Sequence, residues 1–435
     1  MDKHIIVHKI PKELEGKYYT IDFPMPPDCE RVTVSYSYKR FSGKYKSLVE
    51  MVNVVDLGLM DKHGSFLGWS GSAKDRVFIG PYASTKGYKM TCLEEGVWKI
   101  IVGAYKIPDQ GLEVTYEITY DKARPRWLKG DLHMHSDASD GQHDISTLTK
   151  RALKMGLDFI ALSNHNNYSE NMNLPKVPGL TLIPAVEWTH YKGHMNFYGV
   201  KAPFENSFIA NSEKEMLALV NDAKKMGALI SVNHPKCSLC PYLWESRDCF
   251  DMVEVWNGPM RKDNIKAIQW WHSMVKEGKR IPLIGGSDFH KDFHPVRMGN
   301  PISYLYVENP SEKAILQAMK EGRSYVSSSV KGVKLNLSCK DKIMGDELDY
   351  QEGIKLKISA ENLKIGSRVR LVTNKGLLKE WKNFKKGKLQ VDFPLSEDLE
   401  FAYILVIRKL FKVEWVRGIT NPLYFKHNEK KYERT

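Results

Sequence analysis

The chain has 435 residues, 42% hydrophobic and 27% charged, which excludes a disordered or fibrous protein and exceeds one ordinary core, so two or three domains are expected. A formal net charge of +13 opens nucleic-acid binding as a function class, whereas six cysteines are too sparse for a disulfide scaffold and suit a reducing compartment. No apolar run has the form of a secretion signal or the length of a membrane span, so a soluble, cytoplasmic protein is expected.

From Tyr19 to about Tyr120 the pattern is period-2 alternation. RVTVSYSYKR, VWKIIVGAYK and LEVTYEITYD read as strands parted by Gly, Pro, Asp and Lys turns, with no good helix between them. A β-sandwich-like domain over 1–124 follows, and DKARPRW, around Lys122 to Trp127, marks its boundary.

Between Trp127 and about Val330, short apolar strands alternate with helices. ISTLTKRALKMG, SEKEMLALVNDAKKMG, NIKAIQWWHSMVKEG and SEKAILQAMKEG carry helix-period apolar residues and stop at a glycine. Each is followed by a strand: LDFIALSNH, ALISVNHP, KRIPLIGGSDFH and RSYVSSS. Repeated α then β units with buried strands predict an α/β barrel or parallel sheet over 125–330.

After Lys331 alternation returns in GVKLNLSC, GIKLKISA, SRVRLVTN and FAYILVIRKLFKVEWVRG, giving a second β-rich domain over 331–435. This tail holds 23 Lys plus Arg against 14 Asp plus Glu. Runs such as KNFKKGK fall on what read as hairpin turns, where lysine is the ordinary solvated edge residue. The plainer reading is a solvated face. No nucleic-acid partner is expected, although the basic tail leaves one open, and such a surface would also draw an anionic substrate, small or polymer-derived.

Ten of the fourteen histidines fall between His133 and His294, most at the carboxyl ends of these strands. Strand ends of a β/α barrel or open α/β sheet converge on one face, so side chains distant in sequence meet there. His133 and His135, in DLHMHSDASDG, have the spacing that sends both side chains to one side of a strand. His165, Glu187, His234, Asp288 and His290 close later strands, Asp140 follows the first pair, and His194 opens HMNFYGV.

Any one of these histidines is explained as readily by packing or surface exposure. The whole set, three carboxylates included, is not, because burying so much charge without metal is costly. Imidazole and carboxylate without thiolate suit zinc, manganese or iron at a catalytic site, and nine candidate ligands are too many for one ion. A carboxylate such as Glu187 can bridge two ions, and two neighbouring ions can activate water while clamping substrate oxygens. His4, His8, His63 and His427 read as surface residues, His272 as helix packing, and His143, His190 and His294 as second-rank neighbours of the cluster. Cys237 and Cys240 form a CxxC with no second CxxC to complete a thiolate site, which reads as a structural element beside a site loop.

DLHMHSDASDG, GLDFIALSNHN, PAVEWTH, GHMNFYGV, NHP, VEVWNG and GGSDFH, in that order, closely resemble the PHP (polymerase and histidinol phosphatase) superfamily. GHMN and the β-rich ends are similar to its CehA/McbA-like branch of metal-dependent hydrolases. The resemblance covers about Gly130 to Ser329 and implies a distorted seven-stranded β/α barrel with a trinuclear metal site, usually a phosphoesterase. Carried over motif by motif, it implies His133, His135, Glu187 and Asp288 for a first ion, and Glu187, His194 and His234 for a second. Asp140, His165 and His290 would hold a third. The family's usual TDHN is here SNHN, and the Asn164 amide lacks the charge with which a carboxylate orients a ligating imidazole.

The function expected is hydrolysis of a phosphate monoester or diester, the ions lowering the pKa of a water so that hydroxide attacks phosphorus. Arg297 is the preferred substrate cation among Lys236, Arg261, Lys291 and Arg297, with Asn257 as a polar contact. The same ligands would also serve a carbamate, ester or amide hydrolase. A degenerate barrel that binds a glycan or protein is the reading from another class, and oligomeric state is open.

Overall fold

The computed structural model describes residues 2–41, 53–204, 207–292, 295–382, 384, 387–410 and 413–427. His294 and Asn383, Lys385 and Lys386 of the KNFKKGK run therefore lie outside the described residues. The chain forms two compact units, Met1–Arg124 with Val177–Gly179, and Pro125–Lys176 with Leu180–Thr435.

In the first unit two four-stranded antiparallel sheets enclose one core. One sheet orders Asp2–Ile10, Leu112–Lys122, Cys29–Tyr38 and Arg76–Ile79; the other orders Tyr18–Met25, Gly96–Lys106, Val54–Met60 and Phe66–Gly71. Alternation dictates the inward face: Leu112, Val114, Tyr116, Ile118 and Tyr120 are buried while the residues between them are not. Asp2–Ile10 lies ahead of the first strand expected from sequence. It is an edge strand with only Ile10 buried.

The second unit is an α/β body with added strands. Its main sheet runs through Leu283–Gly286, Met252–Asn257, Leu229–Asn233, Gly193–Tyr198, Thr181–His190, Phe159–Leu162 and Arg126–Met134. Most neighbours are parallel, but Gly193–Tyr198 pairs antiparallel with both of its neighbours. A parallel bridge from Met134 to Phe289 links the first of these strands to the chain leaving the last.

Beyond Arg126–Met134 the sheet continues through Ile302–Val307, Ser324–Ser327, Val413–Thr420, Phe401–Leu410, Ser367–Thr373 and Gly376–Trp381. FAYILVIRKLFKVEWVRG thus contributes two antiparallel strands. Residues of the 331–435 segment share a core with the α/β body: Phe401, Tyr403, Ile407, Val416 and Ile419 pack with Trp256, Trp271 and Met274. Asn421 fixes that join, bonding to Leu283 N and O and to Ser324 O and Oγ.

Among the described residues the α-helices are Ile145–Met155, Glu213–Lys225, Lys262–Lys276 and Glu312–Glu321. Asp144, Ser212 and Ser311 cap three of them with a side-chain oxygen, and Ser212 with Glu215 forms a capping box. Gly156 and Gly322 close their helices in the left-handed region; in the other two the left-handed glycine comes one residue later, after Met226 and Glu277. No helix among the described residues is long and apolar enough to cross a membrane.

Candidate metal centre

Strand ends deliver the donors. His133 sits in Arg126–Met134, with His135 just after it; both are fully buried. Glu187, fully buried, and His194 are diagonal neighbours across an antiparallel pair in the register Glu187 to Asn196 and Thr189 to His194. His165 bridges to Glu187 just beyond Phe159–Leu162. His234 and Asp288 follow Leu229–Asn233 and Leu283–Gly286 with φ of 30° and 54°. Two non-glycine residues in the left-handed region at one site mark backbone bent to aim side chains.

All nine sequence-derived candidates meet here. Glu187 Oε1 lies 3.4 Å from His133 Nε2, 3.1 Å from His194 Nδ1 and 3.2 Å from His234 Nε2, and its Oε2 lies 3.5 Å from His135 Nε2. Asp288 Oδ1 is 3.4 Å from His133 Nε2, 3.1 Å from His135 Nε2 and 3.6 Å from His290 Nδ1. Asp140, half exposed at the rim, lies 3.6 Å from His165 Nε2, 3.4 Å from His290 Nε2 and 3.9 Å from His135 Nδ1. Donor atoms of His135, Asp140, His165 and His290 fall within 4.8 Å of one another, as do those of His133, His135 and Glu187.

The electrostatics are those of a site built for cations. Burial works against charging His133, yet Glu254, Glu187 and Asp288 hold its pKa well above the ordinary value. Burial likewise opposes ionising Glu187 and Asp288, but the surrounding imidazoles, His133 foremost, keep both well below the carboxylate range. His133 Nε2, His135 Nδ1 and Glu187 Oε2 are buried without a hydrogen-bond partner. Orphaned lone pairs at the centre of a buried cluster are costly unless something binds them, and divalent ions fit the donor set.

The outer layer contains residues that sequence reading did not single out. Glu254, buried in Met252–Asn257, accepts from His133 Nδ1 at 2.9 Å and from the His234 backbone N–H at 3.0 Å. A carboxylate behind a ligating imidazole fixes its tautomer and raises its basicity. The signal was present in VEVWNG, where one charged residue interrupts an apolar strand. Asp131, also buried, accepts backbone N–H bonds from Ser287 and Gly299 and so ties the first strand to the loop carrying Asp288.

Asn164 does not face an imidazole. Its Oδ1 accepts from Ser136 N at 2.8 Å and its Nδ2 donates to Glu170 Oε2 at 2.9 Å. The imidazole of His165 is instead oriented by Thr189, Nδ1 to Oγ1 at 2.6 Å. His143 is held with Arg151 on Asp292, His190 stacks on Trp188, and His272 packs against Tyr403.

Among the cations, Arg261 reaches the centre indirectly. Its Nη2 donates to Asn257 Oδ1 at 3.2 Å, and Asn257 Nδ2 donates to Asp288 Oδ2 at 3.3 Å and Glu254 Oε2 at 3.1 Å. Lys236 is committed to the Trp270 face, while Lys291 and Arg297 are exposed, the latter bridged through its backbone to Asn300. The CxxC loop folds back over the site. Cys240 Sγ stands 3.5 Å from His234 Nδ1, so a thiol joins a donor set read from sequence as thiolate-free.

Residues 131–354 match the PHP domain family, and the chain belongs to it. A 69-residue stretch, 16% of this chain, is 35% identical to the DNA polymerase/3'-5' exonuclease PolX of Bacillus subtilis (strain 168), and spans 12% of that protein. Among solved structures, a two-domain protein containing a predicted PHP-like metal-dependent phosphoesterase from Bacteroides vulgatus ATCC 8482 is 18% identical, with 68% of this chain and 95% of that one covered at a TM-score of 0.41. The lesion-specific endonuclease PfuEndoQ from Pyrococcus furiosus is 16% identical, with 45% and 56% covered at 0.35.

Proposed function

We propose that the chain is a metal-dependent phosphoesterase whose nine donors hold two or three divalent ions, zinc, manganese or iron, at the strand ends of a distorted seven-stranded barrel. The observation that carries this reading is the convergence of His133, His135, Glu187 and Asp288, three of their polar atoms buried and unpartnered. Membership of the PHP family supports it, and GHMN with the β-rich ends supports a place in the CehA/McbA-like branch.

Glu187 is the bridging carboxylate: its Oε1 faces His133, His194 and His234, and its Oε2 faces His135 and His165. Asp140, His165 and His290 complete the exposed side, where substrate would enter. Bound divalent ions lower the pKa of water toward neutrality and offset charge on phosphoryl oxygens. Arg261 and Asn257 take the substrate role: the amide links the guanidinium to Asp288, and a guanidinium pairs well with phosphoryl oxygens. Arg297, preferred from sequence, has no such link to the donors.

The test is turnover by the full chain of para-nitrophenyl phosphate, bis-para-nitrophenyl phosphate and aryl carbamates. Phosphate-ester turnover that chelator abolishes and metal restores is expected, with Arg261→Ala raising KM roughly tenfold or more through loss of a charge-assisted contact. Carbamate turnover without phosphate-ester hydrolysis would replace this reading with the carbonyl one.

A further inference from the structure

Cys240 is a donor without a task in the site as described so far. It lies on the loop after Leu229–Asn233, where Cys237 N–H donates to the His234 carbonyl at 2.8 Å and Tyr242 N–H to the Pro235 carbonyl at 3.0 Å. Those two bonds return the chain over the His234 ring. One donor atom each from His194, His234 and Cys240 then lies within 4.8 Å of the other two. Ligands about 2.0–2.3 Å from a zinc-sized ion stand roughly 3–4.5 Å apart, so small side-chain adjustments let the three share one ion.

His234 turns Nε2 toward Glu187 and Nδ1 toward Cys240, at 3.2 and 3.5 Å. A thiol is a weak hydrogen-bond acceptor and a poor device for orienting an imidazole. As a thiolate it is a strong ligand. Cys237, 3.3 Å from Cys240, falls outside the donor group.

We propose that the ion held by His194 and His234 takes the Cys240 sulfur as a further ligand, so that this position selects a borderline ion such as zinc over magnesium or manganese. The S–H proton leaves to solvent as the sulfur lone pair goes to the ion. The inference rests on the metal-centre reading above and adds a ligand that changes its metal preference.

The experiment is absorption spectroscopy of the full chain loaded with cobalt(II). Visible d–d bands report bound cobalt whatever the donors; a near-ultraviolet sulfur-to-cobalt charge-transfer band reports thiolate. The wild type and Cys237→Ala are expected to show both, and Cys240→Ser to keep d–d absorption while losing the charge-transfer band. For that variant, zinc competition is expected to show one equivalent bound about tenfold or more weaker. A d–d spectrum with no charge-transfer band in the wild type, or one that survives Cys240→Ser, overturns the thiolate ligand and leaves the metal centre standing. No cobalt absorption at all overturns both.

Discussion

At the scale of single residues, the departure from the family's TDHN has a local explanation. Asn164 donates to Glu170 Oε2, which also accepts from Ser136 Oγ at 2.6 Å. An aspartate there would set a second carboxylate against Glu170 in a buried place. Asn164→Asp is therefore expected to cost about 1–3 kcal/mol in urea unfolding, and adding Glu170→Gln to recover most of it. If the single substitution proves neutral, the amide has no such role. The loop after GGSDFH is fastened by another carboxylate: Arg151, with help from His143, lowers Asp292 to about 2. A depressed folded-state pKa means a contribution that is complete above the unfolded value and fades as acid protonates the folded group. The gap in urea midpoint between wild type and Asp292→Asn should narrow as the pH falls below about 4.

At the scale of elements, the strand ends work because backbones approach closely. A Cβ on Gly286 would lie 2.4 Å from His133 Cβ and 2.8 Å from His133 N. Neither neighbour is the free end of a flexible side chain, so Gly286→Ala should push the first histidine pair aside. We expect a loss of about 1–3 kcal/mol together with reduced metal content; unchanged metal binding would show that the pair tolerates displacement. Helices and strands of the α/β body were legible because their signals are local: apolar period, caps and closing glycines. The nine donors were legible for a related reason, since strand ends carry them and topology alone makes strand ends converge. Glu254, the reach of Arg261 and the position of Cys240 were not, because each depends on how a side chain or loop turns after its strand ends, which no spacing encodes. The Asp2–Ile10 strand escaped because its residue types do not follow its alternating burial: Ile5 and Val7 lie on the exposed face, while His4 and His8 share the inner one with Ile6 and Ile10.

At the scale of the whole molecule, residues 331–435 supply strands to the main sheet of the α/β body, Val413–Thr420 pairing directly with Ser324–Ser327. Phe401 and Tyr403 cover the helix that carries Trp271, whose ring meets Tyr403 at 5.2 Å. Removing this segment would strip several large side chains of burial worth about 1.5–3 kcal/mol each. A chain ending at Val330 is accordingly expected to be insoluble or to lack a cooperative thermal transition, and a soluble, cooperatively folding product would show the α/β body self-sufficient.

Whether scattered imidazoles and carboxylates share cations is tested by elemental analysis of the full chain purified without chelator. Two to three divalent transition ions per chain are expected in the wild type, as a multinuclear hydrolytic site requires, and less than half of that after Glu187→Ala, since Glu187 faces His133, His135, His165, His194 and His234. Wild-type protein carrying no stoichiometric metal, or a Glu187→Ala variant retaining the full complement, would contradict such sharing.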